Sequence, residues 1–227
     1  CYYLFLLIED EDNLKTNFLL TLFISLAIYS RQQFLFLALT HITILTINSD
    51  YKKLFNTCVY YFFLSLPGLY TYYMWGVFSN LNNATSASDY ISLQNIFINI
   101  PKISTLIFFY LIPIFLINIK TIGKIFNFKE FLIYFILVIF IEYILFKNIS
   151  YGSMGGGYII KFNKIFFNNS IYLIILISSV FFSIIISLRK LINYRYYLLL
   201  LFIFLVIGLS KYLYQEWFDP IYLIFYY

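Results

Sequence analysis

The 227 residues are 63% hydrophobic and only 11% charged, where a soluble domain carries roughly 25% charged side chains. That balance, with a mean hydropathy of +0.86, excludes an ordinary water-soluble globule. The net charge of +5 is accounted for by Lys and Arg facing anionic lipid, so it calls for no nucleic acid partner.

Backbone groups in lipid are satisfied only within helices or closed barrels, and the apolar stretches run on without period-2 alternation, which selects helices. The predicted fold is therefore all-α, a polytopic transmembrane helix bundle of about seven full spans with truncated helices at both ends, forming a single transmembrane domain over 1–227. The 28 Phe and 24 Tyr match the residue usage of an AT-rich genome, so single aromatics carry little information. Cys1 and Cys58, the two cysteines, have no metal-ligand or disulfide spacing and read as inert core residues.

In chain order, 1–8 is apolar but too short to cross about 30 Å of hydrocarbon, and Glu9 to Asp12 forms an acidic, solvated loop. Apolar runs at 18–29 and 34–47 predict two short helices joined at a polar corner, Ser30-Arg31-Gln32-Gln33. His41, the single histidine, sits within the second run between Thr40 and Thr43, as a side chain hydrogen-bonded inside the bundle. A loop at 50–53 leads to a span at 54–75, in which Pro67-Gly68 predicts a kink that neighbouring helices resatisfy. The Asn/Ser-rich segment 76–101 holds an interfacial piece at 91–100, and spans follow at 103–119 and 131–146.

Glu142 lies one turn before the last of these ends. A carboxylate at membrane depth costs several kcal/mol unless it is paired, which makes Glu142 a functional candidate; a local pair with Lys147, or snorkelling, is the structural alternative. The segment Tyr151 to Tyr158 contains four of the chain's 8 glycines. It is neither a Walker loop nor a dinucleotide fingerprint, so it predicts no nucleotide cofactor. Glycine backbone there can form an anion nest or a plain turn. Spans at 171–188 and 196–213 complete the series. Between the latter and the last apolar run stands a polar island, Tyr214-Gln215-Glu216-Trp217-Phe218-Asp219-Pro220, whose Asp219-Pro220 reads as an N-cap followed by proline at the first helical position.

With these spans, nine of the 15 Lys and Arg fall on one side and six on the other, and the positive-inside rule places the richer side in the cytoplasm. The Arg31 corner, the Asn/Ser loop, the end of the Glu142 helix, the glycine patch and the Tyr214 to Pro220 island then share the external face.

Taken together, Ser30-Arg31-Gln32 at a tight helix corner, Gly155-Gly156-Gly157 in an external loop and Tyr214 to Pro220 opening a late helix resemble the multipass GT-C-type glycosyltransferases of AT-rich bacteria. More distantly, the chain is similar to the lipid-linked-oligosaccharide α-1,2-glucosyltransferases. The resemblance implies inverting transfer of a sugar from a polyprenyl-phosphate donor to a glycan or lipid-linked acceptor at the external face of a bacterial inner membrane, with no cofactor. It implies a catalytic base in a large external loop near the N-terminus; no residue here matches it, and the chain reads as the C-terminal portion of a longer protein. The implied substrate-binding residues are Arg31, Gln32, Glu142, Gly155, Gly156, Gly157, Gln215, Glu216 and Asp219. Arg31 would grip phosphate through its guanidinium fork, and Glu216 and Asp219 would meet sugar hydroxyls or arginine. Trp217 departs from the smaller aromatic expected there. No Asp-x-Asp motif is present, which disfavours a metal-dependent nucleotide-sugar enzyme. The competing expectation is a multipass transporter or flippase, which tends to show inverted repeats and midplane ionisable groups; only His41 sits at the midplane here.

Overall fold

The computed structural model describes residues 14–30, 34–74, 93–118, 120, 122–123, 126–146, 165, 171–189 and 192–209. These form seven helices and no strands: α1 Leu14–Ser30, α2 Leu35–Ile47, α3 Tyr51–Met74, α4 Leu93–Ile117, α5 Phe128–Phe146, α6 Ile171–Ser187 and α7 Tyr194–Gly208. Among the described residues one helix, over Asn95–Ile117, is long and apolar enough to cross a membrane. Helix α5 has the length, at 19 residues, but carries Lys129, Glu130 and Glu142.

Although the sequence offers no linker, packing divides the chain into two compact units. The first contains residues 1–91 and 195–206, the second 92–194 and 207–226.

In the first unit α3 packs against both α1 and α2, and polar side chains couple them at successive turns. Asn17 of α1 donates to Thr57 at 2.8 Å, and His41 Nδ1 of α2 lies 3.2 Å from the Tyr61 hydroxyl, the hydrogen-bonded interior histidine its surroundings predicted. Nearly two turns further along α3, Pro67 lies inside the helix and lacks a backbone N–H. The Tyr29 hydroxyl lies beside it, accepting from Gly68 N–H at 3.2 Å and donating to the Leu64 carbonyl. A side chain from α1 thus meets backbone groups of α3 beside its proline, the kind of neighbour contact by which a proline in an apolar setting is tolerated. Gly68 belongs here because a Cβ at this position would run into the Tyr29 ring.

The corner between α2 and α3 is tighter than the loop expected over 50–53. Ser49 takes a left-handed φ of 57°, and Asp50 caps α3 by accepting from Lys53 N–H at 3.1 Å. Residues 51–53 are the first turn of the helix. Cys58, read from sequence as a core residue, is instead exposed; it shares a face of α3 with Phe55 and Phe62, three and four residues away.

In the second unit α6 packs on both α4 and α5. Helix α4 corrects another expectation: the interfacial piece at 91–100 and the span at 103–119 are one continuous helix with Pro101 and Pro113 inside it. Helix α5 begins at Phe128, earlier than the predicted 131, because Asn127 caps it, its Oδ1 accepting from Lys129 N–H at 3.1 Å. The C-terminal carbonyls of α7 are held by amides on α4: Asn99 donates to Gly208 O at 3.0 Å and Asn95 to Leu209 O at 3.1 Å. Such partners are what terminal helix carbonyls need when water is excluded.

The core mixes apolar and polar side chains, and much apolar surface also faces outward. Thr21, Thr40, Thr57, Asn99, Ser104 and Glu142 are buried among apolar residues such as Phe36, Ile103 and Phe181, while many other Phe, Leu, Ile and Tyr side chains face outward. On α5 the outward side chains Ile133, Ile136, Leu137, Phe140, Ile141 and Ile144 are each between 52% and 63% exposed.

Candidate functional site

Of the substrate-binding residues expected from sequence, Glu142 is the one whose surroundings can be described. Arg31, Gln32, Gly155, Gly156, Gly157, Gln215, Glu216 and Asp219 lie outside the described residues, as does Lys147, the salt-bridge partner that sequence suggested.

Glu142 turns inward and is 4% exposed. Helix α6 meets it with two consecutive serines: Ser178 Oγ stands 2.5 Å from Oε1 and Ser179 Oγ 2.8 Å from Oε2. Both carboxyl oxygens are therefore held by hydroxyls of a neighbouring helix, and snorkelling is not what this side chain does. Beyond Ser178 the contact continues to α4, where Ser104 Oγ lies 2.6 Å away. Ser104 also reaches back to the Ile100 carbonyl at 2.7 Å and the Pro101 carbonyl at 3.1 Å. Beside it Thr105 donates to Pro101 O at 2.6 Å and approaches Ile174 O of α6 at 3.3 Å.

These residues meet because of where they sit on their helices. Helix α6 is apolar except for a few hydroxyls and Tyr172. Ser179, Ser183 and Ser187 recur every fourth residue on one buried stripe. Small side chains on such a stripe let helix backbones approach closely, and Ser183 closes its own hydrogen bond to Ser179 O at 2.6 Å. Tyr143 stacks on Tyr172 with ring centroids 6.2 Å apart, which fixes α5 against α6 beside the carboxyl. The sequence reading missed Ser104, Ser178 and Ser179. The available signal was an adjacent serine pair in an otherwise oily stretch, where a polar group needs a partner.

A second feature is a cavity of about 360 Å³ within the range of small-molecule sites. Phe108, Ile112, Phe115, Phe126, Phe131 and Ile184 are among its lining residues, which are entirely apolar. It offers shape and hydrocarbon contact but no group that could move a proton or hold a charge. Among the described residues no three His, Cys, Asp or Glu side chains gather to hold a metal ion.

No family model matches the chain, and neither does any curated protein or solved structure. The Glu142 carboxyl has both oxygens bound to hydroxyls and almost no exposure. It can bind a proton and can tie three helices together.

Proposed function

We propose that the chain is a multi-pass integral membrane protein of a bacterial inner membrane, and that it transfers a sugar from a polyprenyl-phosphate donor to a glycan or lipid-linked acceptor at the external face. The observation that supports the membrane part is the large number of exposed Phe, Leu, Ile and Tyr side chains around a core that also encloses polar groups. Exposing the Phe, Ile and Leu face of α5 to water would create an apolar patch of the kind soluble monomers avoid, whereas in lipid it costs nothing. Burying Asn, Ser, Thr and Glu against one another is correspondingly favoured, because lipid offers them no hydrogen bonds.

The transferase part is supported by sequence. Arg31-Gln32, the three glycines Gly155 to Gly157 and the Gln215, Glu216 and Asp219 island supply a phosphate-gripping fork, close backbone approach and sugar-binding carboxyls. With radiolabelled polyprenyl-phosphate sugars and the full-length protein in proteoliposomes, Arg31→Ala and Asp219→Ala abolish transfer while both variants stay in the membrane fraction. Turnover equal to wild type in both would overturn this assignment.

One observation favours a second reading, a transporter or flippase. Glu142 is enclosed by hydroxyls of α4 and α6, and an enclosed intramembrane carboxyl is characteristic of ion-coupled pathways. In that case Glu142→Gln abolishes solute movement in the same proteoliposomes, and Arg31→Ala leaves it intact.

A further inference from the structure

We infer that Glu142 is a proton-binding site, its carboxyl held as the neutral acid at the head of a one-way chain of hydroxyls running from α5 through α6 to α4. The number of available hydrogens requires it. Four oxygen atoms stand in line: Glu142 Oε1, Ser178 Oγ, Ser104 Oγ and Ile100 O, separated by 2.5 Å, 2.6 Å and 2.7 Å. Each gap is of hydrogen-bond length, so each needs one proton between its oxygens. A carbonyl oxygen cannot donate, so the last gap takes the Ser104 proton. Ser104 has no second proton, so the middle gap takes that of Ser178. Ser178 is then also spent, and the first gap can be filled only by a proton on Glu142 itself. The other carboxyl oxygen accepts from Ser179 at 2.8 Å, as the carbonyl oxygen of an acid does.

An ionised Glu142 breaks this order. Ser178 would turn to the carboxylate and Ser104 to Ser178. The Ser104 oxygen would then face the Ile100 carbonyl at 2.7 Å with no hydrogen between two lone pairs. Among the described residues of the three helices, none places a cation at the carboxyl. Helix α6 carries no charged residue, its other titratable group being Tyr172, which stacks on Tyr143. On α4 the charged residue is Lys102, two positions from Ser104 and so about 200° round the helix from it. On α5 itself the other charges are Lys129 and Glu130, at the opposite end from Glu142. Losing the proton thus requires the hydroxyls of both neighbouring helices to reorient, which makes the chain a relay whose direction reports the protonation state of Glu142. This holds whichever of the two activities proposed above is the right one.

Infrared difference spectroscopy of the purified protein in lipid at neutral pH, wild type minus Glu142→Gln, tests it. The expected spectrum loses the carbonyl stretch of a protonated carboxylic acid, and that band shifts in Ser178→Ala, where its hydrogen-bond acceptor is gone. Loss of the paired carboxylate stretches instead, with no carboxylic acid band, overturns the proposal. Glutamine can donate its amide N–H to Ser178 in place of the acid proton, so the variant retains the fold. Its thermal midpoint, measured alongside, stays within a few degrees of wild type, whereas a collapse of Glu142→Gln with Ser178→Ala unaffected would also overturn the assignment.

Discussion

Tyr29→Phe removes one oxygen atom and tests how α3 survives its proline. In the wild type that oxygen serves two backbone groups, accepting from Gly68 N–H and donating to Leu64 O. Leaving a buried donor or acceptor unmade costs about 1–3 kcal/mol, but interhelical side-chain hydrogen bonds in bilayers have measured at about 0.6 and at most about 1.7 kcal/mol. Part of the loss is also recoverable through the helix's own backbone bonds. The balance is about 1–2 kcal/mol, or roughly a five- to thirty-fold fall in the ratio of folded to unfolded protein. Equilibrium unfolding in mixed micelles, followed by circular dichroism, has the resolution to detect it. A double-mutant cycle sharpens the test. Gly68→Ala alone drives a methyl group into the Tyr29 ring and destabilises; in a Tyr29→Ala background the ring is gone, and the same change is neutral or stabilising by up to about 1 kcal/mol through helix propensity. A Tyr29→Phe variant as stable as wild type, together with equal effects of Gly68→Ala in both backgrounds, would refute the claim that the hydroxyl braces α3 beside its proline.

The remaining predictions use the same unfolding assay unless stated. Ser178→Ala costs more than Ser179→Ala, by about 1 kcal/mol, because Ser178 joins both Glu142 and Ser104 whereas Ser179 meets the carboxyl alone. Asn99→Ala, which uncaps the buried Gly208 carbonyl, costs about 1–2 kcal/mol, and Asn99→Asp, which removes the donor, does not rescue it. Asp50→Ala costs about 1 kcal/mol through loss of the α3 cap. In a Cys1→Ser background, Cys58 resists a membrane-impermeant maleimide in intact vesicles and reacts after detergent dispersal; labelling before dispersal would place its exposed face in water rather than lipid.

Much of the helix layout was legible because apolar runs end where chain-breaking chemistry begins. The helix over the first run does end at Ser30, before the polar corner, whereas α3 and α5 each begin three residues before the apolar run suggested, because Asp50 and Asn127 cap them. Pro101 marks no boundary. The residue before a proline is usually driven out of the helical region, so the sequence suggested two pieces where α4 is one. Once proline lies inside a helix, the cost is its missing N–H and the clash with the preceding turn, and packed neighbours can absorb both. Glu142 was legible as an anomaly, a charge in oil, but its partners were not. Ser104 and Ser178 are 74 residues apart, and nothing local says which way a nearly uniformly apolar helix is rotated. Cys58 was misread for the same reason: in a helix apolar on every side, composition does not distinguish the packed face from the outer one.

The three-residue corner at 48–50 bears on the order of events during folding. Joining α2 and α3 with so few residues makes their closure entropy small, and their mutual contacts are short-range in sequence. Pairings such as Asn17 with Thr57, 40 residues apart, must enclose a far larger loop. The helical hairpin of α2 and α3 is thus the natural seed of the first unit, with α1 docking afterwards onto a surface already in place.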